Sequence, residues 1–117
     1  MTFKHKQKTY TLRFKSTAIK VLQEHWGFKT LSELFNSKIA TMNDSLTIDD
    51  ITAIFWAGIK HEIPDITLDR AQKMIDEIDE PYITLTAKII QALTSDTTNP
   101  NIAQIEEAKK KKQRQDK

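Results

Sequence analysis

At Ser16 the spacing of apolar residues changes from two to a mixture of three and four, and this break constrains the fold more than any other feature of the chain. Ahead of it, residues 8–14 read KTYTLRF. Tyr10, Leu12 and Phe14 alternate with Thr9, Thr11 and Arg13, the pattern of a half-buried strand. Phe3 and His5 carry the alternation upstream. This predicts a strand or hairpin over 2–14 that turns near Lys6-Gln7-Lys8, although no Asn-Gly pair marks the turn. Behind the break, Ala18, Ile19, Leu22, His25 and Trp26 share one helical face, with Ser16 as N-cap and Gly27 as stop. Trp26 is expected in the core.

Further helices are punctuated by their own starts and stops. Thr30-Leu-Ser-Glu33 reads as a capping box, followed by an apolar face of Leu31, Leu34, Phe35, Ile39 and Met42. Asn43-Asp44-Ser45 reads as a turn. Thr47 opens a third helix with the stripe Ile48, Ile51, Ile54, Phe55 and Ile59, and Pro64 ends that segment. Thr67 opens a fourth, with Leu68, Ala71, Ile75 and Ile78 inward, Met74 flanking them, and an acidic outer face at Asp76, Glu77, Asp79 and Glu80. Pro81 divides it from a fifth, lined by Tyr82, Leu85, Ile89 and Leu93 and broadened by Ile83 and Ile90. The expected fold is α+β, mostly α. A single compact domain over 1–94 holds the hairpin and four to five short helices at about 16–27, 30–42, 47–60, 67–80 and 81–94. A linker and basic tail, 95–117, are expected to be disordered, since two isoleucines there bury too little apolar area to offset ordering.

The chain has 117 residues and no cysteine, which removes disulfides, zinc-thiolate sites and thiol nucleophiles. No apolar run approaches the roughly 20 residues that cross a bilayer, and "MTFKHKQKTY" has no apolar segment behind it, unlike a signal peptide. A soluble cytoplasmic protein is expected. Charge is uneven: residues 1–15 carry +5, residues 16–105 carry −6 and residues 106–117 carry +3. An acidic body between basic ends argues against nucleic acid wrapped on the folded surface.

Two segments repeat weakly, Leu46-Thr-Ile-Asp49 and Ile66-Thr-Leu-Asp69. A calcium loop would need a glycine at its turn, alternating oxygen ligands and a closing glutamate, and neither segment has them. Each Asp sits at the second helical position, where the helix dipole favours negative charge, so the repeat marks two helix starts. His5, His25 and His61 lack metal-ligand spacing. Gly27 and Gly58 lie too far apart for a phosphate loop, and no serine elbow is present. No enzyme activity, metal or cofactor is expected.

Two features exceed what a fold needs. One is the basic tail, Lys109, Lys110, Lys111, Lys112 and Arg114, which suits an anionic surface or is simply solvated. The other is the Phe55-Trp56 pair. Adjacent helical residues cannot both enter one core, and Trp56 falls about 140° from Ile51 at 100° per residue. It is either a partner contact or buried against the fourth or fifth helix.

The order of these segments resembles the small tail assembly chaperones of long-tailed bacteriophages and related prophages, over roughly residues 8–93. The resemblance is carried by Leu12, Arg13 and Phe14, then Asp50 and Ile51, then Trp56-Ala57-Gly58-Ile59-Lys60, then Pro64, Ile66 and Thr67. It implies a non-enzymatic protein of the host cytoplasm that is absent from the mature virion. Such a protein binds the long tape measure protein, keeps it soluble and helps bring tail tube subunits to it, with self-association possible. Many members also have a form lengthened by a ribosomal frameshift, and Lys109–Lys112 falls where an A-rich slippery site would lie. Lack of an A-rich heptamer in the gene would remove that hypothesis. Phe55, Trp56, Ile59, Tyr10 and Arg13 are the expected partner contacts. The alternatives are a phage neck or connector protein, and a small nucleic-acid-binding protein acting through its tail. Against the latter, the fourth helix presents acid where a recognition helix presents basic and amide groups.

Overall fold

The structure, a computed structural model, describes residues 1–42 and 46–97. The turn expected at 43–45, the end of the linker and the basic tail lie outside these residues. The N-terminal strands pair as predicted. β1 (Thr2–His5) and β2 (Lys8–Thr11) are antiparallel, with Phe3 opposite Tyr10 and His5 opposite Lys8. Lys6 (φ 49°) and Gln7 (φ 68°) form the two-residue turn. Positive φ at both positions matches the twist of the strands, but side chains other than glycine pay for it in backbone strain. The alternation outruns the pairing: Leu12 and Phe14 are buried and Arg13 is exposed, although the strand ends at Thr11.

Five helical segments follow among the described residues, giving the α+β, mostly α fold. They are α1 (Ser16–His25), α2 (Leu31–Glu33, continuing as a π-helix over Leu34–Ile39), α3 (Ile48–Ile59), α4 (Leu68–Glu77) and α5 (Tyr82–Thr97). α3 is the hub. Its residues from Asp50 to Phe55 and from Ala57 to Ile59 are buried, as in a helix covered on every side. It packs against α1, α4, α5 and β2. The α2 arm is held less closely: within Leu31–Ile39 only Leu34 is buried, and Leu31 is 53% exposed.

Several boundaries differ from expectation. Ser16 is the first residue of α1 and not its cap; Lys15 holds that position without a side-chain bond. Gly27 adopts φ 76° just past the helix, as its role as a stop predicts. At α2 only half of the expected box forms: Glu33 N–H donates to Thr30 Oγ1 (3.1 Å), while the Glu33 carboxylate accepts from Lys29 N–H (3.4 Å). The full box is at α3, where Asp50 N–H donates to Thr47 Oγ1 (3.1 Å) and Thr47 N–H to Asp50 Oδ2 (3.2 Å). α4 closes at Glu77 because Ile78 is extended, leaving Asp79 and Glu80 beyond the helix. α5 runs to Thr97, so residues 95–97 are helix where a linker was expected. No helix among the described residues is long and apolar enough to cross a membrane.

Candidate functional site

Several of the residues that carry the resemblance, Arg13, Phe14, Trp56, Gly58, Lys60 and Ile66, make their contacts around the end of α3, whereas Asp50 lies at its start. The Phe14 ring lies against Gly58, where an added Cβ would come within 2.7 Å of Phe14 Cζ. Arg13 N–H donates to the Gly58 carbonyl at 3.0 Å. Thr11 N–H donates to Glu62 Oε2 at 2.6 Å, and the Thr11 carbonyl bonds to His61 Nε2. A carbonyl only accepts, so that ring carries its proton on Nε2. Trp56 Nε1–H donates to the Ile66 carbonyl (2.8 Å), and Lys60 Nζ sits 4.7 Å from the Trp56 ring centroid. These contacts lock the hairpin onto the end of α3, and α3 onto the turn that leads into α4.

A second junction pins the arm. Lys38 Nζ lies 2.9 Å from Asp50 Oδ1 and 5.0 Å from the Trp26 ring centroid, so one side chain ties the π-helix to α3 and α1. Burial pushes the Asp50 carboxyl up, but the hydrogen bonds from Lys38 and Thr47 outweigh it and hold the group below its ordinary value.

Between α1, the arm and the end of α5 lies an open, mainly apolar groove of about 750 Å³. Phe14 and Ile19 line it from the body, Leu31 and Phe35 from the arm, and Lys15 and Lys20 carry charge at its wall. Asp96, brought by the last turn of α5, accepts a hydrogen bond from Phe14 N–H at 2.9 Å. α1 has neither a side-chain cap nor an acid in its first turn. The Asp96 carboxylate supplies negative charge beside that N-terminus from another element. The groove is of ordinary ligand-site size, about 300–1,000 Å³, and its apolar walls suit the nonpolar face of a helix. Among the described residues no group of three or more His, Asp or Glu is placed to hold a metal.

The candidate contacts separate. Phe55 and Ile59 are 0% exposed. Their side chains are spent on the core, and the expectation that they meet a partner is corrected: neither has surface to offer. Trp56 is half-buried, bonded to the segment ahead of α4 and edge-on to His25 (5.5 Å). Tyr10 is half-buried, stacked on Phe3 (5.7 Å) with Lys8 Nζ 5.1 Å from its ring centroid. Arg13 keeps an exposed side chain while its backbone holds Gly58. Trp26, expected in the core, is half-buried under Lys38. Lys109–Lys112 and Arg114 lie outside the described residues.

Sequence reasoning missed the groove because Leu31 and Phe35 fit a core stripe. A usable signal was the position of Leu31 directly after the Thr30 cap, in a helix too short to bury both. Asp96 left no signal, since its partner is 82 residues away. No protein-family model, curated protein or solved structure matches this chain.

Proposed function

We propose that this chain is a phage or prophage tail assembly chaperone, which binds the tape measure protein and keeps it soluble in the host cytoplasm until the tail tube forms around it. The observation that carries this is the groove beside the arm, an apolar surface with Leu31 53% exposed and Phe35 half-buried. An unassembled tape measure protein presents long apolar helical stripes that aggregate. A groove between short helices covers such a stripe by the helix-in-groove mode. Many copies along one target compensate for weak individual contacts. The resemblance adds the second support, since Arg13, Phe14, Trp56, Gly58 and Ile66 make contacts with one another around the end of α3. The −6 charge of residues 16–105 suits a basic target. No chemical step is assigned to the protein.

Co-expression with a phage tape measure protein, the partner proposed here, tests this. The long protein is expected to become soluble and to co-purify with this chain. A long protein that stays insoluble, with no complex, overturns the proposal.

A further inference from the structure

Between the hairpin and α4 lies a second cleft, of about 390 Å³, that shares no residue with the groove. Its charge runs against that of the body. Lys6 and Lys8 line it from the hairpin and Arg70 and Lys73 from α4, against one carboxylate, Glu77. Four cations and one acid give a formal +3 with His5 neutral, in a chain whose residues 16–105 carry −6. Arg70, Lys73 and Glu77 follow at steps of three and four on one helical face, where Glu77 is placed to neutralise Lys73. Both Glu77 oxygens serve the hairpin instead: His5 Nε2–H donates to Oε1, and Lys6 Nζ lies at Oε2, each at 3.2 Å. These contacts hold the Glu77 carboxyl below its ordinary value, so it stays ionised and engaged. The Arg70 guanidinium and the Lys73 ammonium are left without a hydrogen bond or ion pair among the described residues, and so is the Tyr10 hydroxyl at the same cleft. Lys8 Nζ sits 5.1 Å from the Tyr10 ring centroid, a contact that leaves its N–H donors open.

We infer that this cleft binds a small phosphate-bearing anion, with Arg70 and Lys73 as its main contacts and Lys8 and the Tyr10 hydroxyl completing the cradle. A guanidinium offers a planar fork to two oxygens, and an ammonium offers a point charge with three donors. Donors from two elements and a surplus of positive charge suit a dianion with three or four acceptor oxygens better than a carboxylate with two. The volume falls near the low end for small-ligand sites, about 300–1,000 Å³. A nucleic-acid backbone fits less well. Asp69 and Asp76 are exposed on α4, one position before Arg70 and Glu77, and repel a polyanion that runs past the cleft. The turn adds support: Lys6 keeps a cation at φ 49°, where asparagine or glycine would sit with less strain. The site stands apart from the chaperone reading, since no groove residue takes part in it.

Inorganic phosphate and glycerol phosphate are titrated separately into the full isotope-labelled chain and followed by NMR, with sodium chloride titrated in parallel. Saturable amide shifts are expected at Lys8, Tyr10, Arg70 and Lys73, and the ligand that saturates at the lower concentration tells a free phosphate from a phosphomonoester. Arg70→Gln with Lys73→Gln should weaken binding severalfold. Both side chains are exposed, so that variant keeps the parent spectrum elsewhere. Tyr10→Phe should also weaken it, while Lys15→Gln with Lys20→Gln, which removes the same charge at the groove, should leave it unchanged. Shifts that never saturate, or that chloride reproduces, overturn the inference. So does undiminished binding by the Arg70→Gln, Lys73→Gln variant. A single-stranded oligonucleotide that binds through these residues more tightly than either small phosphate also overturns it, by making a polyanion the ligand. No partner protein takes part, so failure here leaves the co-expression test untouched, and failure there leaves this one standing.

Discussion

A methyl group at position 58 would meet the Phe14 ring at 2.7 and 2.9 Å, and the ring is itself buried at 2% exposure. Alanine normally gains about 1 kcal/mol over glycine inside a helix, whereas overpacking a core costs about 1–3 kcal/mol. The ring cannot swing into solvent without giving up its burial, so the overpacking term wins. Gly58→Ala should lower stability by about 1 kcal/mol in urea titration, and Phe14→Leu on that background should recover part of the loss. Asp50 makes a prediction in pH. Its folded-state pKa lies below its unfolded value, so its contribution is present above the ordinary carboxylate range and is lost as pH falls below about 4. Thermal melts of Asp50→Asn should show a shallower loss of stability between neutral and acid pH than the parent chain. An equal slope would mean that the Lys38 contact does not act on stability. At this same scale Trp56 changes meaning: the side chain that turns away from the apolar stripe of its helix donates its indole N–H to the Ile66 carbonyl of its own chain.

Whole elements were largely legible in the sequence. The change of period at Ser16 separates hairpin from helices. The Thr-initiated starts at 30, 47 and 67 all act as caps, each side-chain oxygen accepting from the third helical amide. These signals were readable because they are local. What was not readable depends on tertiary placement: the Asp96 carboxylate beside α1, the Lys38 bridge, and the extension of α5 through Thr97. The π-helix at Leu34–Ile39, closed by Ala40 N–H to the Phe35 carbonyl (2.8 Å), had no pattern to announce it. π-turns of this kind recur at functional sites, and this one shapes the arm that borders the groove. The hairpin carries a cost of its own, with Lys6 and Gln7 in the left-handed region. Lys6→Asn with Gln7→Gly fits the turn and should raise stability by about 1–2 kcal/mol. Lys6→Asn also removes the Lys6–Glu77 pair (3.2 Å), but both side chains are well exposed and the loss is small. A lower melting temperature would show instead that the hairpin is anchored through that pair.

As a whole the molecule is a buried hub helix with three helices and a hairpin packed on it, and an arm held mainly by Leu34 and the Lys38–Asp50 pair. The residues that carry the resemblance lie in the hub helix or in the segments before and after it; the surface proposed for a partner lies elsewhere, along the arm. That division yields the most direct test of the account. Leu31→Asp places a charge in the groove at a position that is already 53% exposed. Ile83→Asp places one at a position 84% exposed on α5, away from the groove. Each variant is co-expressed with the proposed partner, a tape measure protein, and scored by how much of that protein is recovered in soluble complex, after its own melting temperature is checked. The account predicts that Leu31→Asp keeps its fold and loses the complex, while Ile83→Asp retains both. Full recovery with Leu31→Asp, or loss with Ile83→Asp alone, would contradict it and move the contact surface off the groove.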